Sequence, residues 1–405
     1  MRILLANDGF GDAGGVQNYL DAIADGLAGR GHALAVLHRD AAPAPFAGRA
    51  TSALPQFSTA TDGVRAAIDR VAAWAPDVCF SHNMNVLAID RALIDRWPVI
   101  KFMHGYFGTC IGGQKRFGFP VVQPCDRRFG VACLALYGPR HCGELSLSAF
   151  VGHYRWAREQ HALLARYHTI VVASEHMKRE FVRNGVHPSR IQVNPLFSTH
   201  TEAPSAVPAP MTSAERPWTV AFAGRMTVLK GGDLLVDAAA AAASRLGRSI
   251  ELLLIGDGPQ RRAWEERAAR RGVPCTSPGW LNGSERWRAL SRATILALPS
   301  SWPEPFGLVG LEAGALGIPA VAFDVGGIRE WLRPGINGCL ASADPPRSET
   351  FAAALVDALS DTTRLAAMGA GAIEVAREMS LSHHLDALDS MFFASIGSHA
   401  HSAGR

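Results

Sequence analysis

Glu304-Pro305-Phe306-Gly307-Leu308-Val309-Gly310-Leu311-Glu312 stands between two apolar runs, Thr294–Leu298 and Ala320–Phe323, that are typical of buried β-strands. The small and apolar residues from Gly307 to Gly317 predict a helix between them. Strand, helix and strand in succession indicate neighbouring parallel strands, because parallel strands need a crossover connection. This stretch therefore predicts an α/β fold.

The same stretch places two carboxylates on either side of a predicted helix start. The first N–H groups of a helix have no acceptor within it and carry partial positive charge, so a helix that starts at Gly307 is a candidate for binding phosphate. Glu304 in the loop and Glu312 on the helix are then candidate acceptors for hydroxyl groups. Phosphate donors beside hydroxyl acceptors predict a site for a nucleotide sugar.

Strand-like and helix-like runs alternate along the rest of the chain, in two blocks. The predicted strands are Arg2–Asn7, Ala33–Leu37, Val78–Ser81, Val99–Met103, Ile170–Ala173 and Ile191–Val193 in the first block, and Thr219–Ala223, Ile250–Ile255, Thr294–Leu298 and Ala320–Phe323 in the second. Such alternation predicts two doubly wound, Rossmann-like domains whose ligands bind at the carboxyl ends of the strands.

The predicted domain boundaries follow the breaks in this alternation. We expect a first domain over 1–198, a linker over 199–216 that lacks periodicity and contains several prolines, and a second domain over 217–379. We expect a last helix over 380–397, which could cross back to the first domain. The residues from about Ser395 are expected to fray.

The composition of the chain limits the classes of function. It has 405 residues, of which 48% are hydrophobic and 19% charged, with a net charge of +4. This mild positive charge fits anionic substrates or a membrane surface and is too weak to indicate nucleic acid. No run reaches the ~18 apolar residues of a membrane span, and Met1–Asp8 does not resemble a signal peptide. We expect a cytoplasmic protein, either free or resting on the inner face of a membrane.

Two cations follow the strand Thr219–Ala223. Arg225 and Lys230 bracket a turn that leads into a helix, where both can converge on one dianion. Two solvated loop cations are the alternative interpretation, and the position directly after a strand favours the anion site.

A second turn, Gly256-Asp257-Gly258-Pro259, follows the strand Ile250–Ile255. Its residues are first of all those of a tight turn. Because glycine has no side chain, Gly256 and Gly258 would also allow a flat base to approach the backbone, and both are candidate base-binding residues.

The second half resembles the retaining GT-B glycosyltransferases of family 4, also called the group 1 glycosyl transferases. The resemblance covers roughly Trp218 to Leu340 and depends on a combination of motifs. The first motif is Gly224-Arg225 with the following Lys230-Gly231, and the second is Gly-x-Gly-Pro at Gly256 to Pro259. The third is the pair Glu304 and Glu312, eight positions apart, and the fourth is Gly-Gly-x-x-Glu, here Gly326 to Glu330. The fold that the resemblance implies is GT-B, with two Rossmann-like domains facing a cleft.

The resemblance also implies roles for individual residues. Arg225 and Lys230 would bind the donor diphosphate together with the N–H groups at Gly307, Leu308 and Val309. Glu312 would accept the ribose hydroxyls and Glu304 those of the donor sugar, while Trp280 and Leu281 would border the base. We expect no catalytic metal and no other cofactor, because Arg225 and Lys230 supply the positive charge.

The first half contains Gly9-Phe10-Gly11-Asp12-Ala13-Gly14, which matches the G-x-G-x-x-G pattern of dinucleotide-binding proteins. Asn7 and Asp8 separate the pattern from the strand, and Asp40 lies too far along the chain for the usual ribose ligand. A two-domain NAD(P)-dependent oxidoreductase is therefore the alternative and not the first hypothesis. By the resemblance, Gly14 and Gly15 form a loop at the cleft that contributes N–H groups.

His104 follows the strand Val99–Met103. A buried histidine that is satisfied by the backbone is one interpretation. The resemblance implies the other, in which His104 donates a hydrogen bond to the donor sugar near the reacting carbon without acting as a general base.

Four cysteines, Cys110, Cys125, Cys133 and Cys142, crowd into segment 105–148 at spacings of 15, 8 and 9 residues. A segment of this length with little periodicity needs a constraint to stay ordered. Structural zinc, two disulfides and four free thiols all remain open. Nearby cations, including Arg116 and His141, are expected either to hold an anionic acceptor or to face solvent.

The predicted helix Val151–Tyr167 carries Arg155, Arg158 and Arg166. Members of the resembled family often dock on anionic lipid through such a face. A solvated helix is the other interpretation.

The expected function is transfer of a hexose, with retention of configuration, from a nucleoside-diphosphate sugar to a hydroxyl of a glycan, a lipid-linked acceptor or a small molecule. The oxidoreductase and a non-catalytic protein of GT-B fold are the alternatives. The base, the sugar and the acceptor depend on pocket shape and are not readable from the motifs.

Overall fold

The structure is a computed structural model that describes residues 1–9, 15–40, 54–143, 147–198 and 217–403. For residues 147–149 and 398–403 it describes the backbone only. The predicted linker, 199–216, lies outside these ranges. Within them, no helix combines the length and the apolar composition that a membrane span requires.

The first domain is built on a parallel sheet of seven described strands in the order β3-β2-β1-β4-β5-β8-β9. The strands are β1 Arg2–Ala6, β2 Ala33–His38, β3 Gln56–Ser58, β4 Val78–Ser81, β5 Val99–Met103, β8 Thr169–Val172 and β9 Ile191–Val193. The helices are α1 Gly15–Gly29, α2 Thr59–Asp62, α3 Val64–Trp74, α4 Leu87–Ile94, α6 Leu147–Leu164 and α7 Glu175–Arg183. Helices on both faces bury these strands, which explains their nearly continuous apolar runs.

The second domain has a parallel sheet of six described strands in the order β12-β11-β10-β13-β14-β15. The strands are β10 Trp218–Ala223, β11 Ile250–Ile255, β12 Cys275–Gly279, β13 Ile295–Leu298, β14 Ala320–Phe323 and β15 Gly338–Ala341. The helices are α8 Gly232–Leu246, α9 Arg261–Arg271, α10 Gly283–Leu290, α11 Val309–Ala315, α12 Ser348–Leu359 and α13 Thr362–Glu378.

Each sheet has one place where the strand order reverses direction, between β1 and β4 in the first and between β10 and β13 in the second. Ligands of open parallel sheets bind at the carboxyl ends of the strands on either side of such a reversal. The loop of Arg225 and Lys230 follows β10, and the loop of Glu304 follows β13. The predicted site residues therefore lie at the reversal of the second sheet.

Residues 105–143 form an excursion between β5 and α6 with little regular structure. It contains the antiparallel pair β6 Arg116–Phe117 and β7 Gln123–Pro124, and the short helix α5 Ala132–Tyr137. Lys115 anchors it, because this buried side chain lies 3.0 Å from Glu180 Oε2 of α7.

The last helix, α14 Leu381–Ala403, packs against the first domain. Arg30 at the end of α1 lies 2.7 Å from Asp386 and 2.8 Å from Asp389. Phe392 is fully buried and stacks edge-on against Phe80 of β4, with ring centroids 5.4 Å apart. The chain thus ends on the domain in which it begins.

The expectation that the chain frays from Ser395 was wrong. The helix continues to Ala403, and Ser395 is fully buried. Its Oγ donates to the carbonyl oxygen of Met391 at 2.7 Å, so the hydroxyl is satisfied within the helix. Packing on the first domain outweighs a local composition of Ser, Gly and His that favours disorder.

We expect Phe392→Ala to lower the free energy of unfolding by about 3–5 kcal/mol, because it leaves a cavity between α14 and the sheet. Phe393→Ala is the matched control: its side chain is 64% exposed, and we expect a change within about 0.5 kcal/mol. Urea denaturation of both variants measures the difference. Equal effects would contradict the observed docking of α14.

Candidate functional site

Glu304 lies at the carboxyl edge of the second sheet and accepts several side-chain hydrogen bonds. It is only 4% exposed. Its Oε1 accepts hydrogen bonds from Lys230 Nζ at 2.6 Å, Ser300 Oγ at 2.5 Å and Trp302 Nε1 at 3.0 Å. A buried carboxylate needs such donors, because removal from water without them is costly. The sequence singled out Lys230 and Glu304 separately, whereas the structure joins them.

Close packing of the backbone brings together the loops that carry Lys230 and Glu304. Leu229 O, one residue before Lys230, accepts a hydrogen bond from Ser301 N at 2.9 Å. On the other side, Gly327 N donates to Glu304 O at 2.7 Å. Gly326 has a φ of +58°, and a Cβ there would overlap the backbone of Glu304. The Gly-Gly turn after β14 is therefore needed for the position of Glu304.

Arg225 lies on an exposed loop with its side chain at the cleft. The turn after β11 supports this loop, since Met226 N donates to Asp257 O at 2.8 Å. A Cβ at Gly256 would overlap Gly224, and one at Gly258 would overlap Met226. Both glycines thus allow the two loops to touch, a role that the sequence did not indicate. Their predicted part in base binding stays a prediction.

Helix α11 begins at Val309, slightly later than the start expected near Gly307, with Leu308 as its cap residue. Glu312 lies in the first turn of the helix. No backbone acceptor within the described ranges is found for the N–H groups of Leu308 and Val309. Both donors remain available to a ligand, as expected at a helix start.

Glu312 is buried against a cation that the sequence did not single out. Arg286 Nη2 of α10 donates to Glu312 Oε2. Burial raises the pKa of Glu312, and the charge and hydrogen bond of Arg286 act in the opposite direction. Arg286 was missed because α10 follows the short strand β12, whose Thr, Ser and Pro residues gave no clear strand pattern.

Trp280 and Leu281 follow β12 at the same edge of the sheet. Trp280 is 52% exposed, and its Nε1 donates to Asn282 Oδ1 at 2.9 Å. A large aromatic ring that is held at one end and open on a face can stack on a flat group.

A cavity of about 600 Å³ lies between the second domain and the excursion 105–143. Arg225, Lys230 and Trp302 line it on one side. Arg116 and His141 of the excursion line the other. The cavity is therefore walled by cations on two sides, which suits an anionic ligand.

The glycine loop of the first domain is described only in part. Gly14 lies outside the described residues. Gly15 is exposed and opens α1, and no atom lies within 4 Å of a Cβ placed there. The dinucleotide pattern Gly9–Gly14 likewise falls mostly outside the described residues.

His104 lies at the end of β5, within a cluster of aromatic rings. Its Nε2 lies 3.1 Å from His82 Nδ1. Tyr19 of α1 packs against both rings, and its hydroxyl contacts His384 Nε2 of α14 at 2.9 Å. Among the described residues, the side-chain partner of His104 is thus another imidazole.

Burial lowers the pKa of His104 to about 3, and the charges of Lys101 and His384 add to the effect. Burial lowers the pKa of His82 well below its usual range and that of His384 to about 4. All three imidazoles are therefore neutral near pH 7, which agrees with a hydrogen-bonding role and not a general base.

The four clustered cysteines are free and line one small cavity within the excursion. No group of three or more His, Cys, Asp or Glu side chains in the described part of the chain stands ready to hold a metal ion.

Two facing Rossmann-like sheets, with cations and a buried glutamate at a strand-order reversal, define the GT-B class of glycosyltransferases. Residues 13–197 match the family model described as Glycosyltransferase Family 4, and residues 208–375 match Glycosyl transferases group 1. The chain belongs to this family, and the predicted fold is confirmed.

Curated relatives share the family. The chain is 28% identical to D-inositol 3-phosphate glycosyltransferase of Rhodococcus opacus over 95% of this chain and 86% of that protein. It is 36% identical to the enzyme of the same name from Nocardia farcinica over 44% of this chain and 40% of that protein.

Among solved structures, the chain is similar to Anabaena HepE in complex with UDP and glucose. The TM-score is 0.66 at 18% identity, over 96% of this chain and 99% of that one. At this identity the likeness supports the fold alone.

We expect the free energy of unfolding to fall as the pH drops from about 7.5 to about 5, because the unfolded chain binds protons at histidines that the folded chain keeps neutral. A group whose pKa is depressed on folding stabilises the protein above its unfolded pKa, about 6.5, and loses that contribution as the pH falls. His104→Gln should reduce the loss by about 2 kcal/mol. Urea denaturation at both pH values tests this.

His153→Gln is the control, because His153 is exposed on α6. An equal loss of stability in the wild type and His104→Gln would show that His104 is not held neutral.

Proposed function

We propose that this protein transfers a hexose from a nucleoside-diphosphate sugar to an acceptor hydroxyl with retention of the anomeric configuration. The observation that carries the proposal is the buried carboxylate of Glu304, hydrogen-bonded to Lys230 beside a cavity that Arg225 also lines. Cations for a diphosphate and a carboxylate for sugar hydroxyls thus lie within one site.

Stabilisation of the leaving diphosphate is the main chemical task in the proposal. Negative charge grows on the diphosphate as the bond to the sugar breaks. Arg225, Lys230 and the N–H groups at Gly307, Leu308 and Val309 would bind that charge. Groups that are already oriented towards the developing charge stabilise a transition state most effectively.

The nucleoside would lie between the start of α11 and the loops that follow β11 and β12. Glu312 would accept the ribose hydroxyls, and its partner Arg286 keeps this buried carboxylate oriented. Trp280 and Leu281 would border the base beside Gly256 and Gly258. The exposed ring of Trp280 supports stacking on a base.

Glu304 and His104 would position the donor sugar. The Oε1 of Glu304 already accepts three hydrogen bonds, which favours a group that orients hydroxyls over a nucleophile. His104, neutral near pH 7, can donate or accept one hydrogen bond near the reacting carbon. The loop at Gly14 and Gly15 would border the donor site on the side of the first domain.

An anionic acceptor fits the far wall of the cavity. Arg116 and His141 line it opposite Lys230. The curated relatives are named D-inositol 3-phosphate glycosyltransferases, a name that implies an acceptor carrying phosphate. The acceptor of this chain would be a hydroxyl compound with a negative group, either a small molecule, a glycan or a lipid-linked sugar.

If the acceptor is a lipid-linked sugar, the proposal includes contact of the protein with the cytoplasmic face of a membrane. Arg155 and Arg158 are exposed on α6, near the exposed Val151. Such a face can rest on anionic lipid.

Two alternatives are less well supported. Membership of the family favours sugar transfer over an oxidoreductase that uses Gly9–Gly14. The presence of both Glu304 and Glu312, each with a cationic partner, argues against a non-catalytic protein.

A panel of UDP-, GDP-, ADP- and dTDP-sugars tests the function, with thermal stabilisation and release of the nucleoside diphosphate as readouts. NADH and NADPH serve as the competing ligands. One nucleotide sugar should stabilise the protein and release its diphosphate when acceptor is added. Stabilisation by a dinucleotide alone would favour the oxidoreductase.

We expect Lys230→Ala to weaken binding of the selected nucleoside diphosphate about 10- to 100-fold, because a charge-assisted hydrogen bond is worth about 1.5–3 kcal/mol. Isothermal titration calorimetry measures the affinity. Arg262→Ala is the control, since it removes the same charge from a side chain that is 90% exposed on α9. Equal affinities of Lys230→Ala and the control would remove Lys230 from the site.

A further inference from the structure

The excursion 105–143 buries only three large apolar side chains, Tyr106, Ile111 and Tyr137. Its two strands have two residues each, and its helix α5 has six. Several of its apolar side chains point outward, with Phe119 53% and Val131 78% exposed. A segment of this kind needs a constraint other than apolar burial to hold one conformation.

All four clustered cysteines line a single cavity of about 30 Å³ at the centre of the excursion. Cys110 lies in the turn after β5, Cys125 follows β7, Cys133 lies in α5 and Cys142 follows α5. The chain therefore returns to the same point four times. The spacing of the cysteines along the sequence did not predict this convergence.

The four thiols share one small cavity. Four thiolates in that space would repel one another, so a divalent cation is needed to hold them together.

Positive side chains surround the same cavity. Arg116 and Arg127 line it together with the cysteines, as does Lys115, which already pairs with Glu180. A divalent ion with four thiolates carries a net charge of −2, which Arg116 and Arg127 would offset. These two cations thus suit an anionic thiolate complex at this place.

We propose that Cys110, Cys125, Cys133 and Cys142 bind one structural zinc ion that holds the excursion together. Binding converts four thiols and Zn²⁺ into a Zn(S)₄²⁻ centre and releases four protons. No group of three or more His, Cys, Asp or Glu side chains in the described residues is already arranged to hold a metal ion, so binding would have to bring the four Sγ atoms closer together.

This centre would also shape the cleft. Arg116 lines both the cysteine cavity and the larger cavity opposite Lys230. His141, the neighbour of Cys142, lines the larger cavity as well. The zinc ion would fix the wall to which the proposed acceptor binds; this consequence rests on the proposed function, whereas the metal site does not.

Metal analysis of the full chain, purified under reducing conditions, tests the proposal. We expect about one zinc ion per chain by inductively coupled plasma mass spectrometry. A mercurial reagent should release that zinc to a chromogenic chelator. Protein loaded with Co²⁺ should show the intense visible bands of tetrahedral thiolate coordination. All three readouts are independent of enzymatic activity.

Variants identify the ligands. Cys133→Ser and Cys142→Ser should lose most of the bound zinc and lower the thermal midpoint of unfolding. Cys275→Ser is the matched control, because this partly exposed cysteine lies in β12, away from the cavity, and should leave the zinc content unchanged. If the first two variants do not fold, the cobalt spectrum of the wild type still decides the question.

Two results would overturn the proposal. One is metal-free protein whose four thiols are all alkylated under native conditions. The other is a non-reducing peptide map that joins the four cysteines in two disulfides. Bound zinc in a protein that transfers no sugar would support the metal site and reject the proposed function. Sugar transfer by a protein that binds no zinc would support the proposed function and reject the metal site.

Discussion

The contact between Lys230 and Glu304 is the constraint on which the arrangement of the second domain depends. A carboxylate that is almost fully buried must find donors, and Glu304 finds them in loops that follow two neighbouring strands, β10 and β13. These loops meet because the strand order reverses between them and because Gly326 allows backbone to pack on Glu304.

This contact has a consequence for the proposed chemistry. Before a ligand arrives, the cation and the carboxylate hold each other in position. A donor diphosphate would take Lys230 from Glu304, and sugar hydroxyls would take the place of Lys230 at the carboxylate. In the proposed mechanism, donor binding and the orientation of the sugar would therefore be linked through one pair of side chains.

Much of this architecture could be predicted from the sequence, because parallel strands buried on both faces are continuous apolar runs. The strands Val78–Ser81, Val99–Met103 and Ile250–Ile255 lie where the pattern predicted them. The motifs likewise predicted which residues lie at the strand ends. Contacts between loops could not be predicted in the same way, since they depend on packing across the sheet edge: the pairing of Arg286 with Glu312 is one example.

Two further features lay beyond local sequence signals. The composition after Ser395 favours disorder, and only docking on the first domain explains the helix there. The convergence of four cysteines on one cavity depends on how the excursion folds and not on their spacing.

The most direct test of the central claim is a crystal structure of the protein with the nucleoside diphosphate of its donor. The account predicts that the diphosphate contacts Lys230 Nζ, Arg225 and the N–H groups of Leu308 and Val309, with the ribose on Glu312. A nucleotide bound elsewhere, with Lys230 still on Glu304, would contradict it.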